Sequence, residues 1–369
     1  MRLYAPEVGR VEKLYLIAAL TLVGATLIPF LTLQHWTVRW FDFAKIQICA
    51  FQTVVLVTAW LLPEWSRQVQ LAQAALLLCW LYNLSVLLRY TPWWPVKRPQ
   101  PRRYHSDSVS LLSANVLQFN TDYQQFLDLV AEQCPDIVLT MESNEDWDTA
   151  MRPLEAEYPH FRKVPLENTY GMHLYSKLPM ETRVHYLVAD DLPSIEAKMR
   201  TREGYRFTLW CLHPPPPSPT EEPNSKERDG ELLAAAKRIR QAGGTTVVVG
   251  DFNNVAWARS SVLFRKTSET IDPRIGRGLA ATFHARYWFA RFPIDQLFHS
   301  PDVFAQELRV LRYFGSDHLP LYFRFYIDRD DEAQEELVEE LEVEEHAEVE
   351  ELIEEGIAEE GQRDEVATE

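Results

Sequence analysis

Cysteine is scarce. Four residues, at 49, 79, 134 and 211, are scattered through a chain of 369. That is too few for a disulfide-stapled scaffold. No His/Cys cluster at zinc-binding spacing occurs either, which disfavours a zinc site. A basic domain is also missing. The formal net charge is −17, and it is unevenly spread. Residues 328–369 hold 21 Asp/Glu against 2 Arg, residues 1–104 sum to +7, and residues 105–327 to −5. Without a basic domain, a strong nonspecific nucleic-acid binder is disfavoured on charge. The 46% hydrophobic and 12% aromatic content excludes wholesale disorder.

Long apolar runs are present, all near the start. Residues 14–33, 46–63 and 68–88 carry no charge. At about 1.5 Å per helical residue each run is close to the hydrocarbon thickness of a bilayer. Trp36, Trp40, Trp60, Trp65, Trp93 and Trp94 gather at the run ends, where amphipathic rings favour an interface. The pattern predicts three transmembrane helices within residues 1–90 and a multi-pass membrane protein, with the bilayer as partner. Basic residues flank the runs on both sides, so the side faced by the remainder is not fixed.

Residues 91–106 are rich in Pro and Arg and read as a linker. Residues 107–327 then alternate strand and helix patterns. Strands are expected at 109–116, 136–141, 172–175, 183–187, 207–212, 245–249, 294–298 and 319–326, with helices at 122–132 and 231–241. The irregular mixture points to an α/β or α+β layered fold. Residues 328–369 read as an acidic tail, disordered or loosely helical because like charges repel at helical spacing, and able to dock a basic partner.

Chemistry collects where apolar strands end. The segment Thr245–Asn254 (TTVVVGDFNN) delivers Asp251 and Asn253 from a buried strand into a turn. A carboxylate there can orient or deprotonate water, and an amide can donate to a phosphate oxygen. Gly-Asp and Asn-Asn are also turn formers, so this segment alone leaves both readings open. Five further positions follow the same logic: Asn115, Glu142, His213, Asp295, and the Ser316-Asp317-His318 run. A buried Asp295 needs a partner, and His318 suits. Six strand ends offering Asn, Glu, His or Asp form a pattern, since layered folds place sites where strand ends converge.

That ordered set, Asn115, Glu142, His213, GDFN at 250–253, Asp295 and SDH at 316–318, resembles the endonuclease/exonuclease/phosphatase superfamily. Its members include pancreatic-type deoxyribonuclease, abasic-site endonucleases, sphingomyelinases and inositol polyphosphate phosphatases. The resemblance covers about 107–327, and the apolar head is similar to a membrane-anchored bacterial branch, implying the inner membrane. It implies a four-layer α/β sandwich, two packed β-sheets flanked by helices, preceded here by three transmembrane helices. It also implies a divalent cation, Mg²⁺ with Mn²⁺ as the alternative. By resemblance, Glu142, Asn115 and Asp317 hold the metal. Asp251 aligns or deprotonates water, Asn253 donates to the phosphate, His318 with Asp295 contacts a phosphate oxygen, and His213 serves the phosphate or leaving group. One departure is Gln296, where relatives often carry His or Tyr after the Asp.

The implied function is a membrane-anchored, Mg²⁺-dependent phosphoesterase on a lipid-linked or small phosphate ester. Nucleic acid is possible but not favoured, because the body is near neutral. A membrane-tethered endo- or exonuclease is the alternative, and an inactive binding module a second.

Overall fold

The computed structural model describes residues 5–62, 64–96 and 107–359. They fall into two compact units, divided between Trp94 and Pro95. Most of the expected linker, 97–106, lies outside the described residues.

The first unit is helical. Helix α1 (Ala5–Leu27) runs into a short 3-10 turn at Pro29. Helices α2 (Trp36–Phe43) and α3 (Lys45–Thr58) follow, then α4 (Arg67–Leu88), which Ser66 caps by accepting from the Val69 amide. Tyr15, Ala19, Val69, Ala72 and Leu76 make its apolar centre. Beside it lies a buried polar group: Gln52 and Asn83 both donate to Thr26, and Lys45 reaches Asn83 at 3.3 Å. The expectation of three spans is met in part. Among the described residues, two helices, Gly9–Phe30 and Arg67–Leu88, are long and apolar enough to cross a membrane, or three spans are present if the bent middle pair counts as one. The middle stretch is a pair bent by 68°. The bend precedes the charge-free run 46–63, in a stretch that carries Arg39, Asp42 and Lys45, all buried.

The second unit is α/β, with two mixed sheets flanked by helices. In chain order it holds β1 (Val109–Asn115), α5 (Tyr123–Gln133), β2 (Ile137–Met141), α6 (Glu145–Met151), β3 (His160–Val164), β4 (Met172–Ser176), β5 (Met180–Tyr186), β6 (Pro193–Arg200) and β7 (Arg206–Leu212). Then come α7 (Lys226–Ala242), β8 (Thr246–Asp251), α8 (Arg259–Thr267), β9 (Asp295–His299), β10 (Val303–Val310), β11 (Leu321–Ile327) and α9 (Val343–Ala358). One sheet has the order β10-β11-β1-β2-β4-β3 and the other β5-β6-β7-β8-β9. In each, one parallel pair (β1 with β2, β7 with β8) sits among antiparallel neighbours.

Strands β1, β2, β4 and β8 are buried along their whole length, as the near-continuous apolar runs require when both faces are covered. Alternate residues face the second sheet. Leu111, Leu139 and Leu174 meet Ile195, Leu209 and Val249 there. The opposite faces carry helices: Phe126, Leu129 and Val130 of α5 lie on β1 and β2, and Leu232, Ala236 and Ile239 of α7 lie on β7 and β8. Helix α5 shows the 3.6-residue spacing that predicts it.

Several elements were not legible. Strands β3 and β10 lie at a sheet edge, with exposed, charged residues mixed in. Strand β6 carries Glu196 and Lys198. Helix α7 starts at Lys226, five residues before the expected Glu231, because its charged first turn is buried rather than solvated. The acidic tail also differs from expectation. Helix α9 is seated on α7 and α8, with Val349, Leu352 and Ile353 against Leu233 and Leu263. Its carboxylates meet Arg259, Lys266 and Lys237. Self-repulsion does not melt it because the tail's own body supplies the counter-charge.

Leu139 is fully buried between the sheets. Leu139→Ala should cost about 3 kcal/mol of unfolding free energy, read from denaturant unfolding.

Candidate active site

The ends of β1, β2, β8 and β9 converge on one end of the sandwich. Asp251, the last residue of β8, lies directly opposite Asp295, the first of β9. Cross-strand partners share a face, so two buried carboxylates meet. Gly250 makes this possible: a Cβ there would lie 1.8 Å from the Leu212 carbonyl oxygen. Only glycine lets β8 approach β7 so closely at this point.

His318 lies between the two carboxylates. Its Nδ1 is 2.8 Å from Asp295 Oδ2 and its Nε2 is 3.5 Å from Asp251 Oδ2. The ring is positioned from behind, since Ser316 Oγ donates to the Asn115 carbonyl at 2.8 Å and accepts from the His318 amide at 3.0 Å. Burial alone would lower the His318 pKa, but Asp295 and Asp251 outweigh it and raise it to about 10. Burial first, then Asp295, pushes Asp251 upward, although His318 opposes.

From the other sheet, Asn115 Nδ2 donates to Glu142 Oε1 at 2.7 Å and to Asp251 Oδ2 at 3.1 Å. One side chain thus ties the two sheets together at the site. Glu142 follows β2 at a left-handed φ of 59° and accepts from the Gln118 amide at 3.1 Å. It is partly exposed at the rim, yet burial of its carboxyl raises the pKa to about 7 against the Asn115 bond and the His318 charge. Asp317, half-buried, adds to that rise.

His213 ends the apolar β7 and is buried, and burial lowers its pKa to about 4. Its ring packs near Tyr170, whose hydroxyl donates to Glu221 at 2.9 Å. Asn253 stands at φ 48°, its amide N–H donating to Asp251 Oδ1 at 2.9 Å. Its side chain donates to the Pro214 carbonyl at 3.0 Å.

The structure therefore joins Asn115, Glu142, Asp251, Asp295 and His318 in one group of hydrogen bonds and ion pairs. His213 and Asp317 lie within electrostatic reach, and Asn253 shares the Asp251 turn. Three supporting residues are not among the expected site residues. Gln118 holds Glu142 and also takes the Thr169 amide at 2.8 Å. Arg228, 2% exposed, donates to the Asn253 carbonyl at 3.1 Å. Gln296, beside Asp295, points away from the site, accepts from Arg274 and donates to the Asn254 carbonyl. Its amide braces the turn from outside, which accounts for the departure at that position. None of these stands at a strand end, so the strand-end pattern could not single them out.

The donors suit a divalent cation. Ligand atoms of Asp251, Asp295 and His318 lie within 4.8 Å of one another. Glu142, Asn115 and Asp317 add oxygen donors beside them. Buried carboxylates pushed toward neutrality by their surroundings are the environment that a bound cation reverses.

A family model described as "Endonuclease/Exonuclease/phosphatase family" matches residues 112–318. No curated protein matches the chain. Among solved structures, D. rerio TDP2 complexed with a single-strand DNA product is similar at 17% identity and TM-score 0.51. It covers 60% of this chain and 100% of its own. An endonuclease/exonuclease/phosphatase family protein from Bacteroides thetaiotaomicron is similar at 19% identity and TM-score 0.51, covering 61% and 100%. One from Bacteroides vulgatus is similar at 18% and 0.50, covering 60% and 99%.

These findings correct two expectations. The matched structures are covered almost end to end while 40% of this chain has no counterpart in D. rerio TDP2. They lend nothing to a multi-pass inner-membrane protein with the bilayer as partner. Nor is nucleic acid disfavoured. D. rerio TDP2, which shares this fold, is complexed with a single-strand DNA product, so the fold gives no ground for setting nucleic acid aside.

His318 should stay protonated well above neutral pH in the cation-free protein. Its folded pKa lies above the ordinary 6.5. The stabilisation from its carboxylate partners is thus complete below about 6.5 and is lost as pH rises through about 10. Asp295→Asn should move the His318 titration down, as followed by NMR of the imidazole protons.

Proposed function

Because this chain belongs to the endonuclease/exonuclease/phosphatase family, we propose that it is a divalent-cation-dependent phosphodiesterase acting on nucleic-acid strands. The coarser part stands on family membership and the clustered site: the chain is a metal-dependent hydrolase of phosphate ester bonds. The observation that carries the chemistry is the buried Asp251–His318–Asp295 group set against Asn115 and Glu142.

In this reading Glu142, Asn115 and Asp317 would hold the cation, and their all-oxygen donor set would favour Mg²⁺. When bound, it supplies positive charge to the phosphate oxygens. Asp251, its basicity raised by burial, orients water and takes its proton. His318, kept cationic by Asp295, donates to a phosphate oxygen as negative charge develops. Asn253 turns its amide from the Pro214 carbonyl to the phosphate. His213, neutral at pH 7, faces the leaving oxygen.

A local feature supports the nucleic-acid strand. The loop preceding β9 exposes Tyr287 (52%), Trp288 (81%) and Phe289 (61%) beside Arg286. It is fixed to the site: the Phe283 ring lies 4.9 Å from that of His318, and the Ala285 amide donates to the Asp317 carbonyl. Arg286 reaches the Tyr313 hydroxyl at 3.1 Å. Aromatic rings interleaved with Arg, next to a phosphate site, suit stacked bases and their backbone. The lipid-linked or small-ester reading draws on the apolar head and the average body charge, with no local feature of the site behind it.

Asp251→Ala should lower Mg²⁺-dependent cleavage of a labelled single-stranded oligonucleotide by about 10³-fold or more while circular dichroism stays unchanged. An active Asp251→Ala enzyme overturns the mechanism. Trp288→Ala should raise KM for the same oligonucleotide by roughly tenfold, since base stacking is worth about 1–3 kcal/mol, and leave kcat nearly unchanged. Intact oligonucleotide at high enzyme, with release of phosphate from a polyprenyl diphosphate, would overturn the substrate class.

A further inference from the structure

Helix α9 does more than neutralise charge. Its N-terminal half is anchored through Glu345, which meets Lys266 at 2.8 Å and Arg259 at 2.9 Å. Its other end crosses α7 at two glycines. A Cβ on Gly356 would lie 2.9 Å from the Gly230 Cα and 2.9 Å from the Lys226 carbonyl oxygen. A Cβ on Gly230 would meet the Gly356 Cα equally closely. One residue beyond the helix, Glu359 accepts from Asn224 Nδ2 at 2.9 Å and from Lys226 Nζ at 3.3 Å.

The turn held in this way carries Arg228. Asp229 fixes its guanidinium through Nε at 2.9 Å and Nη2 at 2.8 Å. The remaining arm, Nη1, donates to the Asn253 carbonyl at 3.1 Å. Asn253 stands in the left-handed region, which a non-glycine residue keeps only when its surroundings impose it. A continuous chain of contacts therefore runs from Gly356 and Glu359, through the first turn of α7 and Arg228, to the turn that bears Asp251 and Asn253.

We propose that α9 is a positioning strap for the catalytic turn: it seats the first turn of α7 from outside and thereby holds Arg228 against Asn253. This rests on the reading of Asn253 as the phosphate-facing amide. Removal of the C-terminal segment would then impair the chemistry without touching any group that meets substrate.

The test uses the full chain. Gly356→Leu places a side chain where the Gly230 Cα and the Lys226 oxygen stand, lifting this end while Glu345 and Val349 keep the other anchored. Its kcat should fall about tenfold, in line with the sensitivity of catalysis to small misplacements, with KM nearly unchanged. Combining it with Arg228→Gln should lower kcat no further than the stronger single variant, because both break one chain of contacts. Lys237→Ala removes the exposed Lys237–Glu350 pair of the same helix and should leave kcat unchanged. Independently of activity, hydrogen exchange at the Asn253 amide should quicken in Gly356→Leu and not in Lys237→Ala. Unchanged exchange at Asn253, or additive kcat effects, would overturn the strap. A wild-type chain without phosphoesterase activity would overturn the proposed function instead, and the exchange measurement would still decide the strap.

Discussion

Two carboxylates and an imidazole, buried together, set the terms for the rest of the catalytic unit. Asp251 and Asp295 are less than 3% exposed, and like charges that close are costly to ionise together. His318 resolves the conflict by sitting between them as a cation. Almost every local feature around the site serves that placement. Gly250 brings β8 against β7, Ser316 fixes the His318 backbone to β1, and Asn115 reaches across from the first sheet to Asp251. The two sheets are thus joined at this end by polar bonds as well as by the apolar layer between them. Fold stability and site geometry are one problem here, because the group that would act on phosphate is also what the strand ends are built around.

The parts of this arrangement that were legible in the sequence share one property. Each is a polar residue that interrupts an apolar strand at its end, and a polar interruption in a buried run needs a reason. Asp251, Glu142, Asn115, His213 and Asp295 all announce themselves in this way. The strands that carry them were legible too, because burial on both faces demands continuous apolar runs. What was hidden lies elsewhere. Edge strands β3 and β10 mix exposed charge into short segments, so they lose the signal. Arg228 lies in a charged run ahead of the expected helix start at Glu231, with no apolar spacing to mark it. Gln118, in a loop, and Gln296, within β9, each act through several hydrogen bonds, with no periodicity to mark them.

Charge was the least reliable guide, for a physical reason. Net charge describes the field at a distance, whereas recognition depends on what lies within a few ångströms. The acidic tail carries −19, more than the whole net charge of −17, yet carboxylates of helix α9 and of Glu359 just beyond it meet Arg259, Lys266, Lys237 and Lys226 of the chain's own body. The near-neutral body likewise conceals a loop in which Arg286 and three exposed rings stand together. Summation over a segment erases both facts.

The same lesson applies to the apolar head. The charge-free run 46–63 lies within and just after helix α3, and a 68° turn separates that helix from α2, where Arg39, Asp42 and Lys45 are buried. A buried polar group drawn from three helices, Thr26, Gln52 and Asn83, then fixes the register of the bundle. Such groups favour one specific packing over sliding alternatives, since a shifted register would leave each amide without its partner. The head is therefore a defined small bundle in its own right, held by the same device as the catalytic unit. In both, a few polar side chains inside an apolar layer decide which of many similar packings is adopted.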